Sequence, residues 1–455
     1  MAILDAAETF SHLAKPRIAC EAASCVKVRN RNARCSVCMD VCPTQALTIR
    51  NNIIEFHDEH CCGCGACASV CPTQALKTTA PSTQKIAASI EVLIEQRQDS
   101  PISPQQPLLV FCEYAYMRLA KEFDVDNLDL SHQPFLVIPC LAYLDESLYI
   151  QGFTQDYAWM LVSNVCDSCP CNQNNVIANL IEQTHRIGIG AQCNQPIERY
   201  YPKDFAHIYA FLKNQNTHAT NSHISSTRTP LDLEARSILR CNFTENAPDI
   251  SRRGFLSSLI EQTNEAIAHA AAETLNATVY TQSQKDTPKP TLARVLTTTP
   301  GKLKQTTPER IDRLLNCLFD RYEKYVAEQL TSQRSNTHNE VLPPPLTTPF
   351  SSRIFSHIHV LDSCNGCGMC ATFCPTGALQ SNSVQETCKH QSNSRTTLTP
   401  HLSTQTLSFR CNDCVSCNLC LDICPRDALY LDAHVTLEDL FSLERITVFD
   451  PPLSL

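Results

Sequence analysis

The stretch Cys61-Cys62-Gly63-Cys64-Gly65-Ala66-Cys67-Ala68-Ser69-Val70-Cys71-Pro72 decides how the whole chain is read. Its cysteines at 61, 64, 67 and 71 follow the spacing C-x2-C-x2-C-x3-C-P, the run that holds a cubane 4Fe-4S cluster. Three thiolates spaced three apart wrap one face of the cube, and the fourth, just before proline, points away to a second cluster. The run is therefore half of a pair. Gly63 and Gly65 carry no side chain to keep backbone N–H groups from the sulfurs, and such bonds help to set a reduction potential.

The other half precedes it. Cys35-Ser36-Val37-Cys38-Met39-Asp40-Val41-Cys42-Pro43 supplies the second, third and fourth cysteines but has Asn32 where the first should stand. An upstream cysteine must replace it. Cys25 is nearer and is preferred, with Cys20 as the alternative; otherwise Cys20 reads as a buried apolar residue. Between the halves, Ala46-Leu47-Thr48-Ile49 and Ile53-Ile54-Glu55-Phe56 flank Arg50-Asn51-Asn52 and predict a short hairpin. Far downstream Cys364-Asn365-Gly366-Cys367-Gly368-Met369-Cys370-Ala371-Thr372-Phe373-Cys374-Pro375 is a complete run, and Cys414-x2-Cys417-x2-Cys420-x3-Cys424-Pro425 is another. Ser381 to Thr406 reads as a polar insertion between them. Cys388 and Cys411 are surplus, although Cys411 keeps the C-x2-C spacing and competes with Cys414.

Residues 20 to 80 resemble bacterial-type ferredoxins with two 4Fe-4S clusters, and the C-terminal pair of runs resembles them too. The resemblance implies cross-ligation. One N-terminal cluster would take Cys25, Cys35, Cys38 and Cys71, the other Cys61, Cys64, Cys67 and Cys42. The C-terminal sets would be Cys364, Cys367, Cys370, Cys424 and Cys414, Cys417, Cys420, Cys374. Cys62 sits where the family usually has an apolar residue and reads as a spare thiol. Iron so ligated has no open position for a substrate, so the expected role of four such clusters is to carry single electrons.

Composition agrees with compact modules on polar linkers. The 455 residues include 28 Cys, 27 Pro and only 10 Gly. Lys+Arg 37 against Asp+Glu 46 gives a formal charge of -9, which leaves no electrostatic footprint for a nucleic acid. No stretch approaches the roughly 18 apolar residues of a membrane span, and the N-terminus lacks an apolar signal core. A cytoplasmic protein is expected, with any membrane association made through a partner. A disulfide framework suits small secreted chains, and zinc ribbons use two separated C-x2-C knuckles, so tripled cysteines followed by C-P favour iron–sulfur clusters over both.

The middle of the chain changes character. After a helix expected over Gln84 to Gln96, the runs Leu108–Cys112, Phe135–Ile138 and Trp159–Val162 have strand length, and helical patterns at about 114–123, 143–151 and 173–185 separate them. Such alternation predicts a parallel sheet with flanking helices. Cys112, Cys140 and the group Cys166-Asp167-Ser168-Cys169-Pro170-Cys171 fall at or just past the ends of those strands, where open α/β sheets bind ligands. Phe111-Cys112, Val137-Ile138-Pro139-Cys140-Leu141, Cys166-x2-Cys169 and Asn174-Asn175 resemble the hydrogenase iron–sulfur (delta) subunit family over residues 107 to 213, without its glycine-rich turn. That resemblance implies a further iron–sulfur cluster on these cysteines and partners such as a hydrogenase, a dehydrogenase or a heterodisulfide-reductase-like flavoprotein. The alternative is a docking domain with buried thiols.

The expected fold class is α+β: two ferredoxin-like dicluster modules (1–80 and 353–435) flanking an α/β, parallel-sheet, Rossmann-like domain (81–213) and a region of linkers and a helical spacer (214–352), with a tail at 436–455. Helices are expected at Leu231 to Arg240, Gly254 to Leu275 and 308 to 331. Ser251-Arg252-Arg253-Gly254-Phe255-Leu256 matches the core of a twin-arginine export signal, but its internal position and polar continuation favour a capped helix. There is no G-x-G-x-x-G, Walker or H-E-x-x-H motif, and His57, His60, His357 and His359 read as surface or packing residues. The function expected is an electron-transfer subunit; the alternative is an oxidoreductase whose central domain binds a cofactor or substrate.

Overall fold

A computed structural model of the chain describes residues 18–98, 106–123, 135–169, 171–219, 238–240, 297–299, 302–303, 305–335, 345–383 and 405–450. The N-terminal part consists of β1 (Ile18–Cys20), the single-turn helices α1 (Val26–Arg29) and α2 (Val37–Asp40), the hairpin β2 (Leu47–Arg50) and β3 (Ile53–Phe56), α3 (Ala66–Ser69) and β4 (Leu76–Thr78). Asn51 and Asn52 turn the hairpin with φ of 50° and 63°. Two left-handed residues make the tight turn whose twist matches that of the strands, and Asn tolerates that conformation better than most residues. β1 pairs antiparallel with β4, which closes the two cysteine runs into one module. Ile18, Leu47, Cys67 and Leu76 pack beneath.

The central domain begins with α4 (Thr83–Gln98), whose Ile86, Ile90, Leu93 and Ile94 form one buried stripe at helical spacing. It continues through β5 (Leu108–Cys112), α5 (Glu113–Glu122), β6 (Phe135–Ile138), α6 (Glu146–Phe153), β7 (Trp159–Val162), α7 (Asn174–Gly190), β8 (Ile197–Tyr200), α8 (Phe205–Ala219) and β9 (Ile238–Arg240). The four-strand core is parallel in the order β8-β7-β5-β6, and β9 extends it beyond β6. Every residue of β5, β6 and β7 is buried, as a parallel sheet covered on both faces requires. Each fully buried Leu, Ile, Val or Phe there contributes about 1.5–3 kcal/mol relative to exposure. The chain winds outward from β5 to β6 and then crosses back to β7, so its direction reverses at the C-terminal ends of β5 and β7.

A short pair, β10 (Thr297–Thr299) with β11 (Lys302–Leu303), precedes the long helix α9 (Glu309–Ser335). The C-terminal part then comprises β12 (Phe350–Ser351), β13 (His357–Val360), α10 (Met369–Phe373), β14 (Leu379–Ser383), β15 (Gln405–Phe409), α11 (Leu419–Asp422), β16 (Leu429–Asp432), β17 (His434–Val435), α12 (Leu437–Phe441) and β18 (Ile446–Phe449). β13 pairs with β16, and β18 adds to the β14–β15 hairpin.

Several expectations change on inspection. Residues 436 to 450 are part of the C-terminal module, since α12 buries Leu437 and Leu440 and β18 completes its sheet. Ile238–Arg240 is a strand, not the end of a helix, because it pairs with β6. The linker expected from Asn214 begins later, as α8 runs to Ala219. The expected spacer α9 holds the bodies together. Its Ile311, Leu314 and Leu318 are buried, Arg310 donates to the carbonyls of Ser69 (2.6 Å) and Pro72 (3.3 Å), Arg313 donates to Ser147 Oγ (2.9 Å), and Phe319 lies edge-on to Phe441. The helix expected at 254–275, the twin-arginine-like stretch, Cys388 and most of the insertion after Ser381 lie outside the described residues. Among the described residues no helix is long and apolar enough to cross a membrane.

Glu146, at the start of α6, is buried, and its carboxyl is pushed up to about 7 by desolvation; Arg310 and Arg353 oppose the rise and Asp145 adds to it. The unfolded chain releases this proton near pH 4.5 and the folded chain only near 7, so stability falls as pH rises across that window. Glu146→Gln cannot ionise. It should raise stability at pH 8 by about 3 kcal/mol and leave it little changed at pH 4, measured by denaturant unfolding at both values.

Candidate functional site: five groups of cysteines

In the C-terminal module Cys364, Cys367, Cys370 and Cys424 line one cavity of about 350 Å3, with Leu407 and Leu429 among its apolar walls. Cys374, Cys414, Cys417 and Cys420 line a second, of about 370 Å3, with Ile358, Phe409 and Val415. Each run thus gives three cysteines to one cavity and its last to the other. Backbone conformation makes this possible. Gly366 and Gly368 have φ of 64° and 68°, and the loop they form lets the Gly366 N–H reach Cys364 Sγ at 3.4 Å. The second run reaches the same left-handed conformation without glycine, at Ser416 (49°) and Asn418 (60°). The cysteine before each proline is also hydrogen-bonded: Ala428 N donates to Cys424 Sγ at 3.4 Å, and Cys374 Sγ lies 3.8 Å from Thr376 Oγ1. Cys411 is buried apart, its thiol donating to the Ser356 carbonyl at 3.8 Å.

The N-terminal module repeats the pattern. Gly63 N donates to Cys61 Sγ at 3.4 Å and Ala46 N to Cys42 Sγ at 3.3 Å. Burial pushes the Cys38 thiol up to about 12, and the charges of Cys71, Cys25 and Cys35 add to the rise. Burial likewise raises Cys67, with the charges of Cys38, Cys61, Cys42 and Cys71 acting after it. Cys25 caps α1; burial raises its thiol, the N–H groups of Val28 and Lys27 oppose, and Cys71 and Cys35 add. Cys20 is exposed on β1, opposite Leu76, and burial with the nearby Cys25 and Cys71 raises it to about 11.

In the central domain Cys112 ends β5, Cys140 follows β6, and Cys166 and Cys169 follow β7. All four line a cavity of about 360 Å3 at the edge where the winding reverses. Three further residues join them, of which Cys171 stands in the cysteine group read from the sequence while Gln173 and Arg199 do not. Cys171 lines the same cavity, and its thiol donates to the Cys62 carbonyl at 3.6 Å. Gln173 donates to Cys64 Sγ at 3.5 Å and to the Val41 carbonyl at 2.9 Å. Arg199 on β8 donates to Cys166 Sγ at 3.8 Å and to Asn174 Oδ1 at 2.9 Å, with Tyr201 under its guanidinium. Cys171 was legible as part of a cysteine group, but an arginine inside a strand carried no signal.

The histidines have other partners. His357 pairs with Asp439 at 3.0 Å, His359 stacks on Tyr430, and His57 lies 3.7 Å from Glu59. Among the described residues no group of three or more His, Cys, Asp and Glu side chains stands close enough to hold a single metal ion. Zinc, with Zn–S of about 2.3 Å, draws its thiolates together; these thiols instead ring cavities. An all-thiol donor set, apolar walls and N–H groups aimed at sulfur fit a cluster, whose potential such bonds and burial set.

The comparisons with known proteins agree with that donor chemistry. A 4Fe-4S dicluster domain family matches residues 33–75, and a second family of the same description matches residues 363–429. No curated protein and no solved structure matches the chain. The two domains make this an iron–sulfur protein of the electron-transfer type, with room for up to four 4Fe-4S clusters.

Proposed function

We propose that the chain is a relay subunit that carries single electrons between a redox enzyme and its acceptor. The enzyme at one end would be a hydrogenase, a dehydrogenase or a heterodisulfide-reductase-like protein. The observation that carries the reading is the pair of cavities in the C-terminal module, each lined by four thiols drawn from both runs. A cubane held in each would take up and release one electron without opening a site for substrate. The residues that would hold it are Cys364, Cys367, Cys370 with Cys424, and Cys414, Cys417, Cys420 with Cys374. The N-terminal module would use Cys25, Cys35, Cys38 with Cys71, and Cys61, Cys64, Cys67 with Cys42.

The central cavity supports a further cluster. Cys112, Cys140, Cys166 and Cys169 line it together and reach it from the ends of three neighbouring strands. Arg199 would there offset the negative charge of an added electron, and Gln173 and the hydroxyl-bearing Tyr114 would screen the cavity from solvent.

Anaerobic reconstitution should load about 16 iron per chain in the terminal modules and more if the central site fills. Fewer than about 8 would end the reading. Cys25→Ser should remove about four iron while Cys20→Ser removes none; the reverse result exchanges their roles. Cys112→Ser with Cys166→Ser should lower iron while leaving about 16, and no loss would leave the central domain without a cluster. Arg199→Met should shift the central midpoint potential downward in a redox titration, with Arg199→Lys closer to wild type, since a nearby positive charge favours the reduced form.

A further inference from the structure

We propose that the three bodies form one electron relay in a fixed spatial order, in which the cysteine loops of the two dicluster modules meet directly and the central cysteines meet those of the N-terminal module, while the C-terminal part touches the central domain at Phe350 over Gly190. From one end to the other the order is the Cys364 set, the Cys374 set, the Cys25 set, the Cys42 set and the central cysteines. The proposal rests on the cluster reading above. It differs from what the chain order suggests, because there the α/β domain separates the modules.

The junction between the modules is dry and specific. Val26 and Ala33 of the N-terminal module pack on Leu419 and Ile423 of the C-terminal one, with Cys35 and Cys417 against the same cluster. Arg29, 1% exposed, crosses the boundary: it donates to the carbonyls of Phe373 (3.2 Å) and Cys374 (3.4 Å) while a third bond holds Ala23 O at 2.8 Å. Arg34 N donates to Asp422 Oδ2 at 2.7 Å beside it. A buried guanidinium that spends its bonds on the carbonyl of a cysteine fixes the distance between the two ligand loops. Its charge also stands beside the Cys374 loop, where it favours an added electron.

The second junction is built differently. Gln173, just after the central cysteines, reaches both Cys64 Sγ and the Val41 carbonyl, and Cys171 reaches the Cys62 carbonyl. Tyr143, on the turn after Cys140, lies so close over Gly65 that a Cβ there would meet its ring at 2.5 Å. Gly65 also has φ of 72°, so both conformation and space exclude a side chain. Ligand loops in van der Waals contact at each step give a continuous path, since electron tunnelling falls steeply with separation. Met369 is exposed at the cavity of the Cys364 set, and Tyr114 at the central cavity.

The test is EPR of the full-length chain, reconstituted anaerobically and partly reduced, with iron and sulfide assayed on each sample. Magnetic coupling should broaden the N-terminal signals through the Cys374 set. Cys414→Ser with Cys420→Ser, which empties that set, should cost about four iron and narrow the remaining N-terminal signals. Arg29→Met should keep all the iron yet lose the same broadening, and Arg29→Lys should retain part of it. N-terminal line shapes that are identical with and without the Cys374 set would overturn the order. Wild-type iron well below 16 would instead overturn the cluster reading on which it rests.

Discussion

Four sulfurs of like charge held in a dry cavity are the constraint on which this structure depends. Burial alone drives Cys370 and Cys414 up to about 12, and Cys417 and Cys420 are raised as well, with neighbouring thiols adding to each. Without a cation such groups stay protonated, so the loading of iron and the release of protons are a single event. The local structure has little else to rest on. The helices beside the cysteines run only four or five residues, far too short to persist by their own hydrogen bonds.

What surrounds these loops is correspondingly stiff. The parallel sheet supplies a buried platform whose reversal edge carries the central cysteines, and α9 is pinned to it by Arg321 and Lys324 on Asp156, at 3.0 and 2.9 Å. The same helix grips the N-terminal module through Arg310 and the C-terminal module through Phe319 and Tyr322 on Phe441. Exposed ion pairs of this kind contribute little individually, about 0–1 kcal/mol. The buried Arg310 and the apolar stripe of Ile311, Leu314 and Leu318 therefore carry most of the attachment.

The elements legible in the sequence were those with a period or a spacing. The cysteine runs, the Asn51-Asn52 turn, the stripe of α4 and the three apolar strands each announce themselves over a few residues. Contacts made at long range do not. Arg29 lies in a basic stretch, Lys27 to Arg31, yet it is buried, and backbone carbonyls 344 and 345 residues away accept its bonds. Backbone carbonyls leave no mark in a sequence, and for the same reason Arg310 read as part of a spacer. Arg199 reaches Cys166 from β8, a strand too polar to stand out as an apolar run in the sequence. The module expected at 353–435 ends too early because β18 pairs with β15 from beyond that boundary, and only the pairing shows that it belongs.

The bond from Arg29 to the carbonyl of Phe373 also sets an order of events during synthesis. Domains fold as units while the chain emerges, the N-terminal one first. When the first module is made, the surface that Arg29 and Ala33 will present to Leu419 is still open to water, and so are the thiols just behind it. Some 344 residues must follow before the acceptor exists. The cysteines behind Arg29 are therefore uncovered until the module translated later closes over them.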